Sequence, residues 1–425
     1  MESNFEKRVF YLHLTYSIIE GIIVGVLAFN EFVLVKALKG SSYQVSFLFQ
    51  SQHVVLLFSI FFHEYFKRFP NPKPILVWTG VLTRLPLLFF MLFPSTLLSG
   101  QGSFWSVLFL GIFCIYYLST PIIFPAINQL LKSNYSFNKL GYFYSYATSI
   151  KQFVTFVVTF LVGIVYDHDP SIFRILYPVL GIMGIVSILF LSRIEFKITD
   201  NKEFPKVFQD SGIIAIYRKT LNILKTNIAF RDYEIAFMLY GIGWMSTSSV
   251  STLFFAKELN LNYTSIALYK NIYYIVSILL LPFFGKLLVK LDPRKFLIIP
   301  LSAVAVHFFF LIITGFFPVH TIWGTFMIYY WLIPSYLAYS VFDAGMTLSW
   351  NIGSAYLCNV NESAYYQAFH LSLTGVRAIF APIVGVLIYE NTSFSHAFSF
   401  GIIFILIAIV WMWRSLNRID FYRQC

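Results

Sequence analysis

The sequence is poor in charge and in cysteine, and each shortage excludes a class of protein. Only 12% of its 425 residues are charged, and its three cysteines, Cys114, Cys358 and Cys425, have no repeated spacing. Disulfide frameworks and zinc sites need several cysteines at set spacings, so the sequence argues against both. The phosphate-binding pattern G-x-x-x-x-G-K-S/T is also missing. We therefore expect no ATP hydrolysis by this chain, no cofactor and no metal.

Apolar residues, by contrast, are abundant: 58% of the chain is hydrophobic and the mean hydropathy is +0.73. Repeated runs of about 20 apolar residues are typical of membrane-spanning helices. We predict twelve spans, at residues 9–35, 43–64, 75–94, 104–128, 141–166, 172–192, 232–256, 263–288, 296–317, 321–347, 364–389 and 394–413. Span one carries Glu20 at its centre and no small-residue cleavage site follows it, so we expect a retained helix and not a signal peptide.

The formal net charge of +11 indicates orientation in the membrane. With the N-terminus inside, 21 of the 30 lysines and arginines fall in inner loops and tails, and four fall on the outer side. Because basic residues accumulate on the cytoplasmic side, we predict a multi-pass protein of the cell (inner or plasma) membrane with both termini cytoplasmic. The lipid bilayer accounts for the basic balance, so no nucleic-acid partner is expected.

The two halves of the chain repeat a set of residues in the same order. The repeated residues are Asn128, Asn138 and Tyr142, which recur 223 residues later as Asn351, Asn361 and Tyr365. The pattern Thr148-x-x-Lys151 of span five likewise matches Thr374-x-x-Arg377 of span eleven. Duplicated units are common in transporters. We predict a first six-helix bundle at residues 1–192, a cytoplasmic linker at 193–231 and a second six-helix bundle at 232–425.

The loop between spans eight and nine reads "GKLLVKLDPRK", Gly285 to Lys295. With the twelve spans and the basic linker, it resembles the major facilitator superfamily, whose signature there is G-x-x-x-D-R/K-x-G-x-R/K-R/K. Gly285, Lys290, Arg294 and Lys295 are in register, while Val289 and Asp292 replace the signature Asp and second Gly. The resemblance implies an all-α polytopic fold of twelve transmembrane helices in two pseudo-symmetric six-helix bundles. It also implies a central cavity lined by all spans except three, six, nine and twelve.

Polar residues recur on single faces of the predicted spans. On span eleven His370, Thr374 and Arg377 share one face, as Lys151 does with threonines on span five. A charge at the bilayer centre costs about 2.5–3.5 kcal/mol on insertion scales, so Arg377 should face water, a counter-charge or substrate. At 1.5 Å per residue, Lys151 lies about 15 Å and Arg377 about 20 Å from the inner ends of their spans, near the midplane.

These faces supply the candidate site. The predicted substrate-binding or coupling residues are Glu20, Gln50, His53, Lys151, Lys270, His370 and Arg377, with Glu20 as the proton carrier. The predicted gating or structural ion-pair residues are Arg84, Asp343, Lys290, Arg294 and Lys295. An alternative stays open in which Arg377 and Lys151 are structural partners of Glu20 or Asp343. Glu234, close to the inner interface, receives no role.

The favoured function is a secondary active transporter that works by rocker-switch alternating access, with H⁺ as coupling ion and with a monomer as the working unit. Deep cations outnumber deep carboxylates, which favours an anionic or zwitterionic small-molecule substrate. One alternative is efflux of hydrophobic or cationic compounds past Tyr329, Tyr330, Trp331 and Tyr336. Another is a membrane-embedded transferase acting on lipid-linked substrates. The only outer cluster for such an enzyme is "DHDP", Asp167 to Pro170, which the sequence favours as a solvated helix end with a turn.

Overall fold

The computed structural model describes residues 2–58, 73–95, 102–123, 127, 134, 137–195, 222–358 and 363–418. The centre of the predicted linker, 196–221, lies outside the described residues, as do Asn128, Asn361 and Cys425. We refer to residues up to 195 as the N-terminal half and to residues from 222 onward as the C-terminal half. Both halves are built almost entirely of helices, which confirms the all-α prediction.

The helices follow the predicted spans in order. Those of the N-terminal half are Glu2–Leu27, Asn30–Lys36, Ser42–Val54, Lys73–Arg84, Gly102–Tyr117, Phe137–His168 and Phe173–Ser192, with 3-10 turns at Val55–Phe58, Leu85–Leu92 and Pro170–Ile172. Those of the C-terminal half are Ile228–Leu253, Tyr263–Lys290, Pro293–Phe316, Leu332–Ile352, Ser363–Ala378, Ala381–Asn391 and Phe394–Arg418, with a π-helical turn at Phe254–Glu258 and a 3-10 turn at Gly353–Leu357.

Within the described ranges, nine helical segments are long and apolar enough to cross a membrane. The other three predicted spans coincide with the helices Ser42–Val54, Ile228–Leu253 and Leu332–Ile352. The chain is therefore a multi-pass membrane protein, and its helices are consistent with the predicted number of spans.

The predicted start of span ten is wrong. Residues 321–331 do not open the helix, because β1 (His320–Trp323) and β2 (Phe326–Tyr329) form an antiparallel hairpin in which Trp323 pairs with Phe326. Gly324 takes a positive φ of 60° in the two-residue turn, which suits glycine. Span eight covers one side of the hairpin: the Met327 amide donates to Ser265 Oγ at 2.8 Å. Span ten thus begins at Leu332, and Tyr330 and Trp331 lie outside it.

Spans one and five pack closely because span one is glycine-rich where they meet. A Cβ on Gly21 would lie 2.7 Å from the Lys151 carbonyl oxygen, and one on Gly25 would lie 2.8 Å from Val158. The Thr155 hydroxyl fills the contact by donating to the Gly21 carbonyl at 3.1 Å. This close approach fixes Lys151 beside the middle of span one.

Two spans are broken, span one towards its C-terminal end and span eleven near its middle, and each break lies beside a residue of the other half. The helix of span one ends at Leu27 and resumes at Asn30, and that of span eleven ends at Ala378 and resumes at Ala381. Pro382 explains the second break, because proline lacks the amide that a continuous helix needs. Broken helices leave backbone carbonyls available for other donors.

Candidate functional site

Arg377 is buried between spans eleven and seven, with 3% of its surface exposed. Its guanidinium donates to the Phe237 carbonyl and, at 3.1 Å, to Thr374 Oγ1, and it lies over the Tyr240 ring at 5.8 Å. Gly241 makes the space, since a Cβ there would lie 2.2 Å from the guanidinium carbon. No carboxylate among the described residues lies within salt-bridge distance of Arg377, and its Nε is buried without a hydrogen-bond partner.

His370 lies two helical turns before Arg377 on the same face. Its Nδ1 lies 3.0 and 3.1 Å from the two carboxylate oxygens of Glu234 on span seven. The side chains are 1% and 3% exposed, respectively. Sequence reasoning missed Glu234 because its distance from the end of the span suggested the interface. The spacing of Glu234, Phe237 and Gly241 on one face of span seven was the available signal.

Glu20 has a different partner from those predicted for it. Its carboxylate lies 3.7 Å from the guanidinium of Arg84 on span three and accepts a hydrogen bond from Ser187 on span six at 3.1 Å. Arg84 also lies over the Tyr116 ring at 5.8 Å. The proposed pairing of Glu20 with Arg377 or Lys151 is therefore not what the structure contains.

The predicted partner Asp343 is likewise engaged elsewhere, since it accepts a hydrogen bond from Ser277 on span eight at 2.6 Å. Lys151, half-buried on span five, has no carboxylate within salt-bridge distance among the described residues. Two of the central cations, Lys151 and Arg377, are thus left without an ion pair in the part of the chain that the structure describes. Buried or half-buried cations near the midplane are expensive, which marks them as functional candidates.

Gln50 and His53 on span two reach towards the C-terminal half. Gln50 donates to the Ile379 carbonyl, which the break in span eleven has freed. His53 donates through Nδ1 to the Phe49 carbonyl at 3.0 Å, and its ring lies 6.2 Å from Trp244 of span seven. Span two therefore lies directly against the part of span eleven that carries Arg377.

Lys270 on span eight makes the equivalent contact with the other broken helix. Its ammonium donates to the Ala28 carbonyl, at the break in span one, and lies 5.4 Å from the Phe32 ring. Nearby, Thr252 of span seven donates to Glu31 of span one. Glu31 received no role from the sequence, and the structure places it between the two halves.

Of the three basic residues that are in register with the family signature, one is buried and two are exposed. Arg294 is fully buried, 2.7 Å from Asp292, and donates to the Ser415 carbonyl of span twelve at 3.1 Å. Lys290 and Lys295 are exposed. Asp292, which replaces the signature glycine, thus pairs with the signature arginine. That arginine ties span nine to span twelve within the C-terminal half.

We call the end of the molecule where span five ends and span eight begins the outer end, after the loop-charge prediction. There the two halves are held together by polar contacts. The Asp167 carboxylate accepts the Tyr263 and Thr264 amides at 2.6 and 2.7 Å. Lys257 contacts Ser42 Oγ at 2.8 Å and Glu390 at 3.6 Å. The "DHDP" cluster is accordingly part of a closure between halves.

A bundle of membrane-spanning helices whose halves enclose deep charges and meet at one end defines the class of membrane transporters. The sequence profile of the Major Facilitator Superfamily matches residues 12–356. The chain therefore belongs to the major facilitator superfamily, as the signature loop predicted, and it is a transporter and not a transferase.

The solved structures with similar folds described here are also transporters. The chain is 13% identical to the nucleoside transporter NupG, with a TM-score of 0.67, covering 98% of this chain and 100% of that one. It is 14% identical to the peptide transporter POT in complex with sulfate, with a TM-score of 0.65, covering 97% and 94%. A third structure, from work on substrate recognition in proton dependent oligopeptide transporters, is 13% identical with a TM-score of 0.63. The match covers 96% of this chain and 100% of that one. No curated protein matches the sequence.

Proposed function

We propose that the chain is a secondary active transporter that moves an anionic or zwitterionic small solute, coupled to protons, by alternating access of its two halves. The observation that carries this proposal is the burial of Arg377 near the midplane with no carboxylate in salt-bridge distance among the described residues. A buried guanidinium without an ion pair is unfavourable, and a carboxylate or other anion from the solute would pair with it through bidentate hydrogen bonds. Lys151, half-buried on span five, is a second cation without an ion pair among the described residues.

The structural neighbours agree with this class of substrate. Two of the neighbours named above are peptide transporters, and one of these two belongs to the proton dependent oligopeptide transporters. Because peptides are zwitterions, this likeness supports a proton-coupled zwitterion as the solute. Nucleosides, the solutes of the other neighbour, are neutral. The charge of Arg377 favours the first of these two solutes for this chain. We propose a location in the cell membrane with both termini cytoplasmic, and a monomer as the working unit.

The test is a flux assay on purified protein in lipid vesicles with an imposed pH gradient. Four radiolabelled probes cover the alternatives: dialanine as zwitterion, succinate as anion, uridine as neutral solute and tetraphenylphosphonium as hydrophobic cation. We expect uptake of dialanine or succinate, and loss of that uptake by at least about tenfold in R377A, because removing a charged hydrogen-bond partner costs about 1.5–3 kcal/mol or more.

The matched control is R231A, since Arg231 pairs with the adjacent Asp232 at 3.2 Å and its side chain is 41% exposed. This variant should transport as the unaltered protein does. Transport of uridine or tetraphenylphosphonium alone, with R377A unaffected, would reject an anion-recognising Arg377. In that case the aromatic surface around Tyr240 and Tyr336 would favour the efflux alternative.

A further inference from the structure

The Glu234–His370 pair lies beside Arg377 but takes no part in the solute recognition proposed above. Because a carboxylate oxygen only accepts hydrogen bonds, its contact with His370 Nδ1 at 3.0 Å requires the proton on Nδ1. This fixes the tautomer of His370. The second ring nitrogen, Nε2, then carries a lone pair in the neutral ring and a proton only in the imidazolium.

That second nitrogen is buried, and it has no hydrogen-bond partner among the described residues. Phe237 packs edge-to-face on the His370 ring at 4.6 Å, and Trp350 of span ten lies 6.2 Å from it. Aromatic faces of this kind tolerate a cation. Nε2 is therefore the one atom of the pair whose hydrogen-bonding character changes when a proton binds.

The pair is linked to Arg377 through Thr374. The Thr374 hydroxyl donates to the His370 carbonyl at 3.2 Å and accepts from the Arg377 guanidinium at 3.1 Å. Arg377 Nε, like His370 Nε2, is buried without a partner in the described structure. Two unpartnered nitrogens thus lie on one face of span eleven.

We propose that Glu234 and His370 form the proton-binding site that couples proton uptake to anion binding at Arg377. The inference rests on the proposed function and deepens it. With His370 neutral, the charges of Glu234 and Arg377 cancel. A proton on Nε2 leaves a net charge of +1 in a low-dielectric site, and a solute carboxylate restores neutrality. Proton and anion therefore stabilise each other's binding, which is the requirement for symport.

Several other titratable and polar groups on the neighbouring spans have partners of their own. On span seven, Tyr233 donates to the Ser349 carbonyl at 3.1 Å and Asp232 pairs with Arg231. On span two, His53 donates to Phe49. Asp343 of span ten is bonded to Ser277. Among the groups facing His370, Glu234 supplies the counter-charge that stabilises an imidazolium, and Arg377 opposes it until an anion binds.

The first test separates coupling from transport. Vesicles containing E234Q or H370Q are compared with unaltered protein for two activities: accumulation of dialanine driven by a pH gradient, and counterflow exchange of dialanine without a gradient. At one proton per solute, a gradient of one pH unit gives about tenfold accumulation. We expect both variants to lose accumulation. E234Q, which leaves the charge of Arg377 uncancelled, should retain counterflow, whereas H370Q, which holds the site neutral, should lose counterflow as well.

The matched control is H307Q. His307 is also buried in a span, but its Nδ1 contacts the Ser335 carbonyl at 3.0 Å and not a carboxylate. This variant should keep both activities. Gradient-driven accumulation by E234Q and H370Q at the unaltered level would overturn the proposal.

The second test needs no transported solute. Solid-state NMR of protein with ¹⁵N-labelled histidine, in lipid bilayers, reports the protonation of each ring, and the H370Q spectrum assigns the His370 signals among the eight histidines. We expect His370 to gain imidazolium signal on acidification, more of it with acetate present and less of it in E234Q.

A His370 ring that stays singly protonated throughout, or that is unchanged in E234Q, would reject the proton site even in a protein that transports. Conversely, the expected NMR response in a protein that moves none of the four probes would reject the proposed substrate class and leave the proton site standing.

Discussion

The carboxylate of Asp167, in the last turn of span five, accepts the backbone amide of Tyr263 in the first turn of span eight at 2.6 Å. The amides at the start of a helix lack partners within it and carry partial positive charge. One half of the protein therefore caps a helix of the other half. The contact joins the halves without an ion pair. Because its two partners belong to different halves, it forms only while the outer end is closed.

Replacing Asp167 by alanine should loosen this closure. Loss of a capping side chain costs about 1 kcal/mol, so amide exchange at Tyr263 and Thr264 should be about fivefold faster in D167A, as measured by hydrogen–deuterium exchange mass spectrometry. The matched control is D169A. Hydrogen bonds from Ser171 in the same turn lower the pKa of Asp169, so this carboxylate is also ionised at neutral pH. Equal exchange in D167A and D169A would contradict the prediction.

Replacing Gln50 by leucine should favour opening of the outer end. Gln50 donates to the Ile379 carbonyl at the break in span eleven, and loss of a hydrogen bond typically costs about 0.5–1.5 kcal/mol. Spin labels at His168 and Asn391, one in each half, should show more of the long-distance state by double electron–electron resonance. Gln52, exposed on the same helix, provides the control Q52L. A distance distribution that is identical in Q50L and Q52L would contradict a role of Gln50 in keeping the outer end closed.

Separating Glu20 from Arg84 should destabilise the N-terminal half. Removing one partner of a buried ion pair costs about 3–5 kcal/mol, because the other charge stays buried without compensation. Thermal unfolding in detergent should therefore show a lower melting temperature for E20Q and for R84Q, and partial recovery in the double variant. Additive losses in the double variant would mean that the two side chains act independently. The comparison also separates a structural Glu20 from the proton carrier that the sequence favoured.

Introducing a methyl group at Gly241 should displace Arg377. The added Cβ would lie 2.2 Å from the guanidinium carbon, so G241A should lose dialanine uptake by at least about tenfold, with an overpacking cost of about 1–3 kcal/mol in stability. Gly111 gives the control G111A, because a Cβ there meets no atom within 4 Å. Full uptake by G241A would show that the position of Arg377 is not critical.

The sequence predicted the helical fold and the burial of Arg377 because both depend on local properties. Apolar run length determines the spans, and helical periodicity places His370, Thr374 and Arg377 on one face. The partners of these residues were not predictable in the same way. Glu20 met Arg84 and not Arg377, because partner choice depends on how spans one, three and six pack, which periodicity does not specify.

The hairpin before span ten was missed for a different reason. Its sequence, "HTIWGTFMIY", contains no lysine, arginine, aspartate or glutamate, so the absence of charge extended the predicted helix into it. The Gly-Thr pair between β-branched and aromatic residues was the local signal for a two-residue turn. Glu234 was missed because depth was judged from the apolar run, and a carboxylate that pairs with a histidine is buried wherever its partner lies.

The breaks in spans one and eleven set a condition on how the halves can part. Ala28 and Ile379 expose carbonyls that accept from Lys270 and Gln50 of the opposite half. Neither oxygen has a donor in its own helix to return to, so separation leaves both to be hydrated. Water must therefore enter the interface between the two halves as they separate. Opening of this transporter then requires hydration of the interface between the halves, and osmolytes that lower the water activity should slow it.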